Sequence, residues 1–460
     1  MTRWTSRAIR QCFVDYFKLK HGHQWIPSSS IQPHNDPTIL FTSAGMSQFR
    51  DIFTGDITSD HPFANLKRAC SYQKCIRTGG KHDDLKEVGY DYRHHTFFEM
   101  LGNWSFGDYF KEEACKMALD LLVNEFKIPK DRLVITFFGG DTELGIPCDK
   151  ETKEIWLSLG FKENRVIPLG KSENFWEMGY VGPCGICSEI HYQMDGISHH
   201  DSSKLLQSSL EIWNLVFMQY NRLKDGSLIP LSKNHVDTGM GLERINSVLN
   251  NVPSNYDTDG FIPLMKLLQR ETKAPPYRGS LTDPMDIAYR IVADHIRMIT
   301  VSLSDGLVPA SKDAGYQFRR IFRRCYFHLV DEFRTKQPAD LIVTLCKQFA
   351  DIMGDNYPEI PQNIANVCKT VKQESLLVNF LRKKTYQKFQ ELANDKKLLQ
   401  KNFINGQEAF RLFMEGAGSK WLLERLARQM DMVIDWKDFE KLFQEHKIRS
   451  AEGLEKMKNS

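Results

Sequence analysis

The pattern of apolar and polar positions divides the chain in two. Up to about residue 250, short apolar runs alternate with turns containing Gly, Pro and Asp. Leu133-Val134-Ile135-Thr136-Phe137-Phe138 and Ile212-Trp213-Asn214-Leu215-Val216-Phe217 have the length and composition of buried strands. Near the start, Ile9, Phe13 and Phe17 recur every four residues and predict a first helix with one apolar face. From about 255 the period becomes helical. Ile287, Ile291, Val292, Ile296 and Ile299 form an amphipathic stripe, and a long polar helix is predicted over roughly 360–395. Residues 250–259 are polar, carry Pro253 and show no periodicity, so they read as a linker. The expectation is an α+β half, residues 1–250, followed by an all-α half, residues 251–460.

Composition narrows the classes. A chain of 460 residues exceeds one ordinary core. No run reaches the roughly 18 apolar residues of a spanning helix. The 61 basic and 58 acidic residues nearly cancel, which excludes a general polyelectrolyte binder but leaves room for a local basic patch. The ten cysteines have no regular spacing, which points to reduced thiols rather than a disulfide scaffold. The first fourteen residues hold Arg3, Arg7 and Arg10 and no acid, as a transit peptide does. The apolar repeat in the same stretch favours the helix, with most of any import signal lying outside this chain.

Five constellations carry candidate chemistry. In Arg77-Thr78-Gly79-Gly80-Lys81-His82-Asp83-Asp84, two glycines allow close backbone approach to an anion and two cations bracket them; a solvated turn is the alternative. His94-His95-Thr96-Phe97-Phe98-Glu99-Met100-Leu101-Gly102-Asn103-Trp104 joins histidines to a stacking surface; a core strand with satisfied histidines is the alternative. Adjacent histidines on a strand face opposite ways and do not share an ion. Asp237-Thr238-Gly239-Met240-Gly241-Leu242-Glu243-Arg244 reads as strand end, two glycines and helix start, an anion-binding arrangement. There Asp237, Glu243 and Arg244 are candidates for an amine, a metal and a phosphate. It lacks the dinucleotide fingerprint. Cys184-Gly185-Ile186-Cys187 has no second pair at zinc spacing and is expected to be a tight turn with two buried thiols. Arg319, Arg320, Arg323 and Arg324 fall on one side of a predicted helix whose other side carries Phe318, Phe322 and Cys325, so a cationic face for phosphates is expected.

Together these residues resemble the alanyl-tRNA synthetases, class II ligases. The stretches Pro33-His34-Asn35-Asp36-Pro37-Thr38, Ala44-Gly45-Met46, 77–85, 94–103 and 237–244 carry the resemblance, which runs through essentially the whole chain and is nearest the animal mitochondrial form. It implies a class II antiparallel sheet with flanking helices and an all-α region that binds the tRNA(Ala) acceptor stem. It also implies L-alanine, ATP and Mg2+. Arg77 would hold the ATP α-phosphate, His95 would contact ATP and Phe98 would stack on adenine. Ile212, Trp213, Asn214, Gly241 and Arg244 would complete the ATP site. Trp176 would wall both ligands. Asn214 and Asp237 would grip alanine, with Asp237 on its ammonium, and Val216 would keep the pocket small. Glu189 and Glu211 are the Mg2+ candidates. Asp313 and Asn405 match the family's Asn and Asp that read an acceptor-stem G·U pair, with the two residue types exchanged.

The sequence also departs from the family. Tyr180 and Val181 stand where many relatives have Asp and Thr, Ile186 replaces a Pro, and 412–418 differ from the usual segment. No editing domain and no zinc are expected in this chain. The implied activity is alanine–tRNA ligation by a monomer in the mitochondrial matrix, with a cytoplasmic location as the alternative. Its rivals are a non-catalytic tRNA-binding paralogue and an alanine ligase with another acceptor.

Overall fold

The computed structural model describes residues 4–33, 39–79, 84–195, 201–394, 402–416 and 418–458. The motif positions His34 to Thr38, and Gly80, Lys81, His82 and Asp83, lie outside them. One mixed sheet dominates the first half. Its strands are β1 (Gln24–Trp25), β2 (Arg68–Ile76), β3 (Phe97–Phe106), β4 (Leu133–Phe138), β5 (Val166–Leu169), β6 (Phe175–Glu177), β7 (Gly182–Gln193), β8 (Ser209–Arg222) and β9 (Leu228–Gly241). Their order is β1-β2-β3-β9-β8-β7-β4-β5, with β6 pairing β7. The sheet is antiparallel through its centre and parallel at both edges, β1 on β2 and β4 on β5. The expected antiparallel sheet with flanking helices is present; the two edge pairs, each reached by a crossover, are parallel.

Period-two alternation sorts side chains to the two faces. Trp213, Leu215 and Phe217 of β8 enter a core shared with Phe13 and Phe17. Asn214 and Val216 face the other side. Long β8 and β9 are joined by a tight turn: Gly226 has φ +86°, and the Leu223 N–H donates to the Ser227 carbonyl. The predicted strands at 133–138 and 212–217 are present. The arginine-bearing N-terminus is the helix Ser6–Asp15, capped by the Thr5 hydroxyl. Its Arg10 is buried against Glu99, with NH2 2.7 Å from the carboxylate.

The second half is helical. Pro284–Ser304 starts with Asp283 accepting from the Met285 and Asp286 N–H groups and with Pro284 at its first turn, where a missing N–H costs nothing. Ile291, Val292, Ile296 and Ile299 of the predicted stripe are buried and Ile287 is half-buried, yet the opposite side is buried as well. Its polar residues meet the sheet half. Arg290 donates to the Gly89 carbonyl, Asp294 accepts from Thr96, and Arg297 pairs with Glu243. The long polar helix runs Glu359–Ala393. Residues 250–259 are not a loose linker. Asn255 and Tyr256 are buried, Asn255 donates to the Arg93 carbonyl, and Tyr256 donates to the His94 carbonyl. The polar composition that suggested a linker satisfies buried backbone instead. Among the described residues no helix is long and apolar enough to cross a membrane.

Candidate active site

Four neighbouring strands, β3, β9, β8 and β7, bring distant residues into register. Trp104 lies opposite Asp237, Asp237 opposite Val216, Gly239 opposite Asn214, and Asn214 opposite Glu189. Over this floor opens a cavity of about 380 Å³, within the range of small-ligand sites. Arg77, His95, Phe98, Trp176, Ile212 and Asn214 line it, as do Val216, Asp237, Gly241, Arg244, Glu189 and Glu211. Of the sequence-named residues for ATP and alanine, Trp213 alone is missing from the wall. Its indole sits on the opposite face against Phe13 and Phe17, because alternation sends it there. The Trp213 side chain is therefore not in the cavity wall; in sequence Trp213 lies between two lining residues, Ile212 and Asn214.

One end is small and mostly apolar. The Asp237 carboxylate is buried, and its Oδ1 accepts from Trp104 Nε1 at 2.5 Å. Burial pushes its carboxyl up to about 7, while the Trp104 hydrogen bond opposes the shift. Val216 is buried beside it, and Trp176 closes one side. Asn214 donates to Glu189 at 3.3 Å, and its carbonyl oxygen is buried without a hydrogen bond among the described residues. An unmet acceptor in a cavity wall suits a ligand donor.

The other end is ionic. Arg77 lies over the Phe98 ring, 5.0 Å from its centroid, and donates to the Ser43 carbonyl. Its guanidinium therefore covers part of the surface read as a stacking platform. Arg244, in the first turn of the helix Leu242–Leu249, donates to a Glu211 carboxylate oxygen at 2.6 Å. Burial opposes the Glu211 charge, but Arg244, His191 and Arg77 together outweigh it and hold Glu211 below the usual carboxylate range. Glu189 goes the other way. Burial pushes it up against the hydrogen bond from His191, and the nearby Glu211 charge adds to the rise. Two partly buried carboxylates line one cavity, Glu189 pushed toward its neutral form and Glu211 held charged, an oxygen donor pair of the kind a divalent cation can use.

The histidines lie before β3, not on it. His94 pairs with Asp91. His95 contacts Asp294 at 3.4 Å and Asn255 at 3.0 Å, and stacks on Phe261. Both groups are held by protein partners, with one edge of each left to the cavity. Glu243, read from sequence as a metal candidate, is engaged otherwise: it pairs with buried Arg297 and accepts from the Glu99 N–H. Cys184 and Cys187 lie on strand β7 rather than in a tight turn. They enter different core clusters on opposite faces, as positions three apart on a strand must, so they do not converge on one ion.

The helical candidates do not converge in the same way. Arg319 to Arg324 lie on the helix Asp313–Asp331, but Arg319 pairs bidentately with Glu374. Arg324 donates to the Leu85 and Val88 carbonyls, both at 2.8 Å. The expected open cationic face is thus reduced to Arg320, which donates to Gln317, and half-buried Arg323, whose Nε has no hydrogen bond among the described residues. Arg324 instead braces the segment that follows Asp84, a cavity residue. Exposed Asp313 opens the same helix with φ +49°. Asn405 caps the helix Gly406–Glu415, its Oδ1 accepting the Glu408 N–H at 2.8 Å. Sequence reasoning missed Trp104 and Asp294 as partners of Asp237 and His95. Cross-strand register and a 199-residue separation hide those pairs.

The chain is also similar to known proteins. The chain is 44% identical over 448 residues to an alanine–tRNA ligase of Schizosaccharomyces pombe, covering 96% of this chain and 46% of the relative. It is 42% identical to the mitochondrial alanine–tRNA ligase of Saccharomyces cerevisiae, covering 99% and 47%. The human mitochondrial enzyme is 46% identical over 80% of this chain and 37% of its own length. The chain spans about half the length, or less, of these relatives. The family described as tRNA synthetases class II (A) matches residues 8–460, and the chain belongs to that family.

Proposed function

We propose that the chain is an alanine–tRNA ligase, joining L-alanine to ATP and then to the 3′ end of tRNA(Ala). The observation that carries the reading is a buried carboxylate, Asp237, at the narrow apolar end of a cavity whose other end holds Arg77 and Arg244. Asp237 receives the alanine ammonium, Asn214 its second polar contact, and Val216 and Trp176 limit its side chain. Alanine's carboxylate oxygen attacks the ATP α-phosphorus, pyrophosphate leaves, and the mixed anhydride remains. A terminal hydroxyl of the tRNA then attacks the alanyl carbonyl and AMP leaves. No protein nucleophile is required. Arg77 and Arg244 hold phosphate oxygens, and His95, Phe98, Ile212, Gly241 and the backbone at Trp213 shape the nucleotide site. Glu189 and Glu211 would hold Mg2+, which would supply charge neutralisation at the phosphates.

Residues 1–250 act as the aminoacylation unit and 251–460 as the acceptor-stem unit. Asp313, Arg320, Arg323 and Asn405 contact the stem, while Arg319 and Arg324 support that helix. The exchanged Asp313 and Asn405 favour a G·U pair in altered orientation. Relatives of both mitochondrial and cytoplasmic name are similar to this chain; we place it in the mitochondrial matrix, as a monomer. The test is alanine-dependent ATP–pyrophosphate exchange followed by tRNA(Ala) charging. Exchange without charging would favour another acceptor, and absence of both would favour a non-catalytic tRNA binder.

A further inference from the structure

Trp104 and Asp237 are directly opposite on β3 and β9. The indole is fully buried, and two glycines seat it. A side-chain carbon at Gly102 would stand 2.3 Å from the ring, and one at Gly45 would stand 2.7 Å away. Phe49 packs on it with ring centroids 4.8 Å apart. Packing on these sides leaves the ring no room to turn, so the direction of its N–H is set before any ligand arrives. That N–H makes the one hydrogen bond to the Asp237 carboxyl among the described residues.

The surroundings give Asp237 little other help. His235, two positions along β9, is pushed down to about 4 by burial and is neutral near pH 7. Cys75 on β2 is a buried thiol whose pKa burial raises. Among the described residues, the cavity's Arg77, Arg244, Glu189 and Glu211 make no hydrogen bond with it, and Arg244 is taken by Glu211. An aspartate in such a wall turns or takes up a proton readily unless a donor holds it.

We propose that Trp104 is a positioning residue for amino-acid selection: its indole N–H holds Oδ1 of Asp237, so that Oδ2 is presented, charged, to the ammonium of the amino acid. This rests on reading Asp237 as the counter-charge of alanine. It assigns a function to an indole that would otherwise be counted as core, and it makes the glycines at 45 and 102 part of the specificity apparatus.

Trp104→Phe keeps an aromatic ring and removes the donor. In pyrophosphate exchange its KM for alanine should rise about tenfold near pH 7, the cost of one hydrogen bond to a charged group. Its KM for ATP should stay within about twofold, as the donor does not face the nucleotide end. The acid limb of kcat/KM for alanine should move upward by about one pH unit, since losing a donor to the anion favours the proton. A purely structural role would leave that limb in place, and an unmoved limb overturns the proposal. A second measurement needs folded variants but not active ones. The Trp104 indole 1H–15N signal, assigned by its loss in Trp104→Phe, should titrate near pH 7, where Asp237 does. The titration should vanish in Asp237→Asn. A pH-independent signal overturns the proposal. If the unaltered protein shows no alanine-dependent exchange, the functional reading fails, while the indole titration still decides whether Trp104 governs Asp237.

Discussion

The sheet and the helical half treat sequence-named residues in opposite ways. In the sheet, residues drawn from β3, β6, β7, β8 and β9 meet around one cavity. In the helix Asp313–Asp331, four arginines adjacent in sequence separate into different duties: one on Glu374, one on backbone carbonyls, two left toward the surface. A strand's period of two, combined with register, determines which face a residue takes. A helix's period determines the side but not whether another element supplies a counter-charge there. Charge on a predicted helix therefore says less about ligands than a carboxylate on a predicted strand.

The sharpest way to break this contrast lies in the sheet. Asp237→Ala should lower alanine-dependent exchange at least a hundredfold, because an ammonium placed in that wall without its counter-charge costs roughly 3–5 kcal/mol. ATP binding, followed by equilibrium dialysis, should persist. Near-normal exchange would remove Asp237 from the site.

Next in size is Arg324. Arg324→Ala removes its hydrogen bonds to the Leu85 and Val88 carbonyls, which should cost roughly 1–3 kcal/mol of stability and raise the KM for ATP through the segment after Asp84. Arg320→Ala should leave thermal stability within about 0.5 kcal/mol and weaken minihelix binding. Calorimetry with exchange and gel-shift assays separates the two. Equal effects would mean that the helix face is uniform after all.

A comparable effect concerns pH. Asp237 has its carboxyl raised to about 7, so its charge is present above that pH and lost as pH falls through it. The KM for alanine should climb about tenfold per unit on the acid side, while the KM for ATP changes little. A KM for alanine that is flat from pH 6 to 8, roughly the span of a full titration, would contradict the assignment. The same pocket should reject glycine weakly, since one methyl is worth about 1–3 kcal/mol; glycine-dependent exchange measures this directly.

The smallest effects lie in the helical half. Asn405→Ala removes a helix cap and should cost about 1 kcal/mol, visible in the melting temperature. Asp313 is exposed, so Asp313→Asn should leave stability unchanged and alter only which acceptor-stem G·U minihelix is charged best. If the family's usual G·U pair is clearly preferred before and after that change, the exchange of residue types has no bearing on recognition.

Much of the site was legible because its chemistry is written in local motifs. Asp237 to Arg244 announced a strand end running into a helix, and the strand reaches Gly241 with the helix starting at Leu242. Where local pattern misled, the cause was a partner from elsewhere. Residues 250–259 looked like a linker because they are polar, yet their polar groups serve the backbone at Arg93 and His94. Glu243 looked available because nothing nearby in sequence is basic except Arg244; its partner Arg297 comes from another helix.

The sequence by itself determined the alternation that places Asn214 and Val216 on one face of β8, the glycines that admit close packing, and the division into a strand-rich and a helical part. Those follow from steric limits and burial acting over a few residues. Only the tertiary structure decided which charges are free to meet a ligand. Arg324 became a brace, Trp213 turned into the core, and Trp104 became the donor to Asp237, because each outcome depends on a group tens or hundreds of residues away. Burial makes an unpaired charge or donor costly, so whichever partner the fold brings within reach takes it.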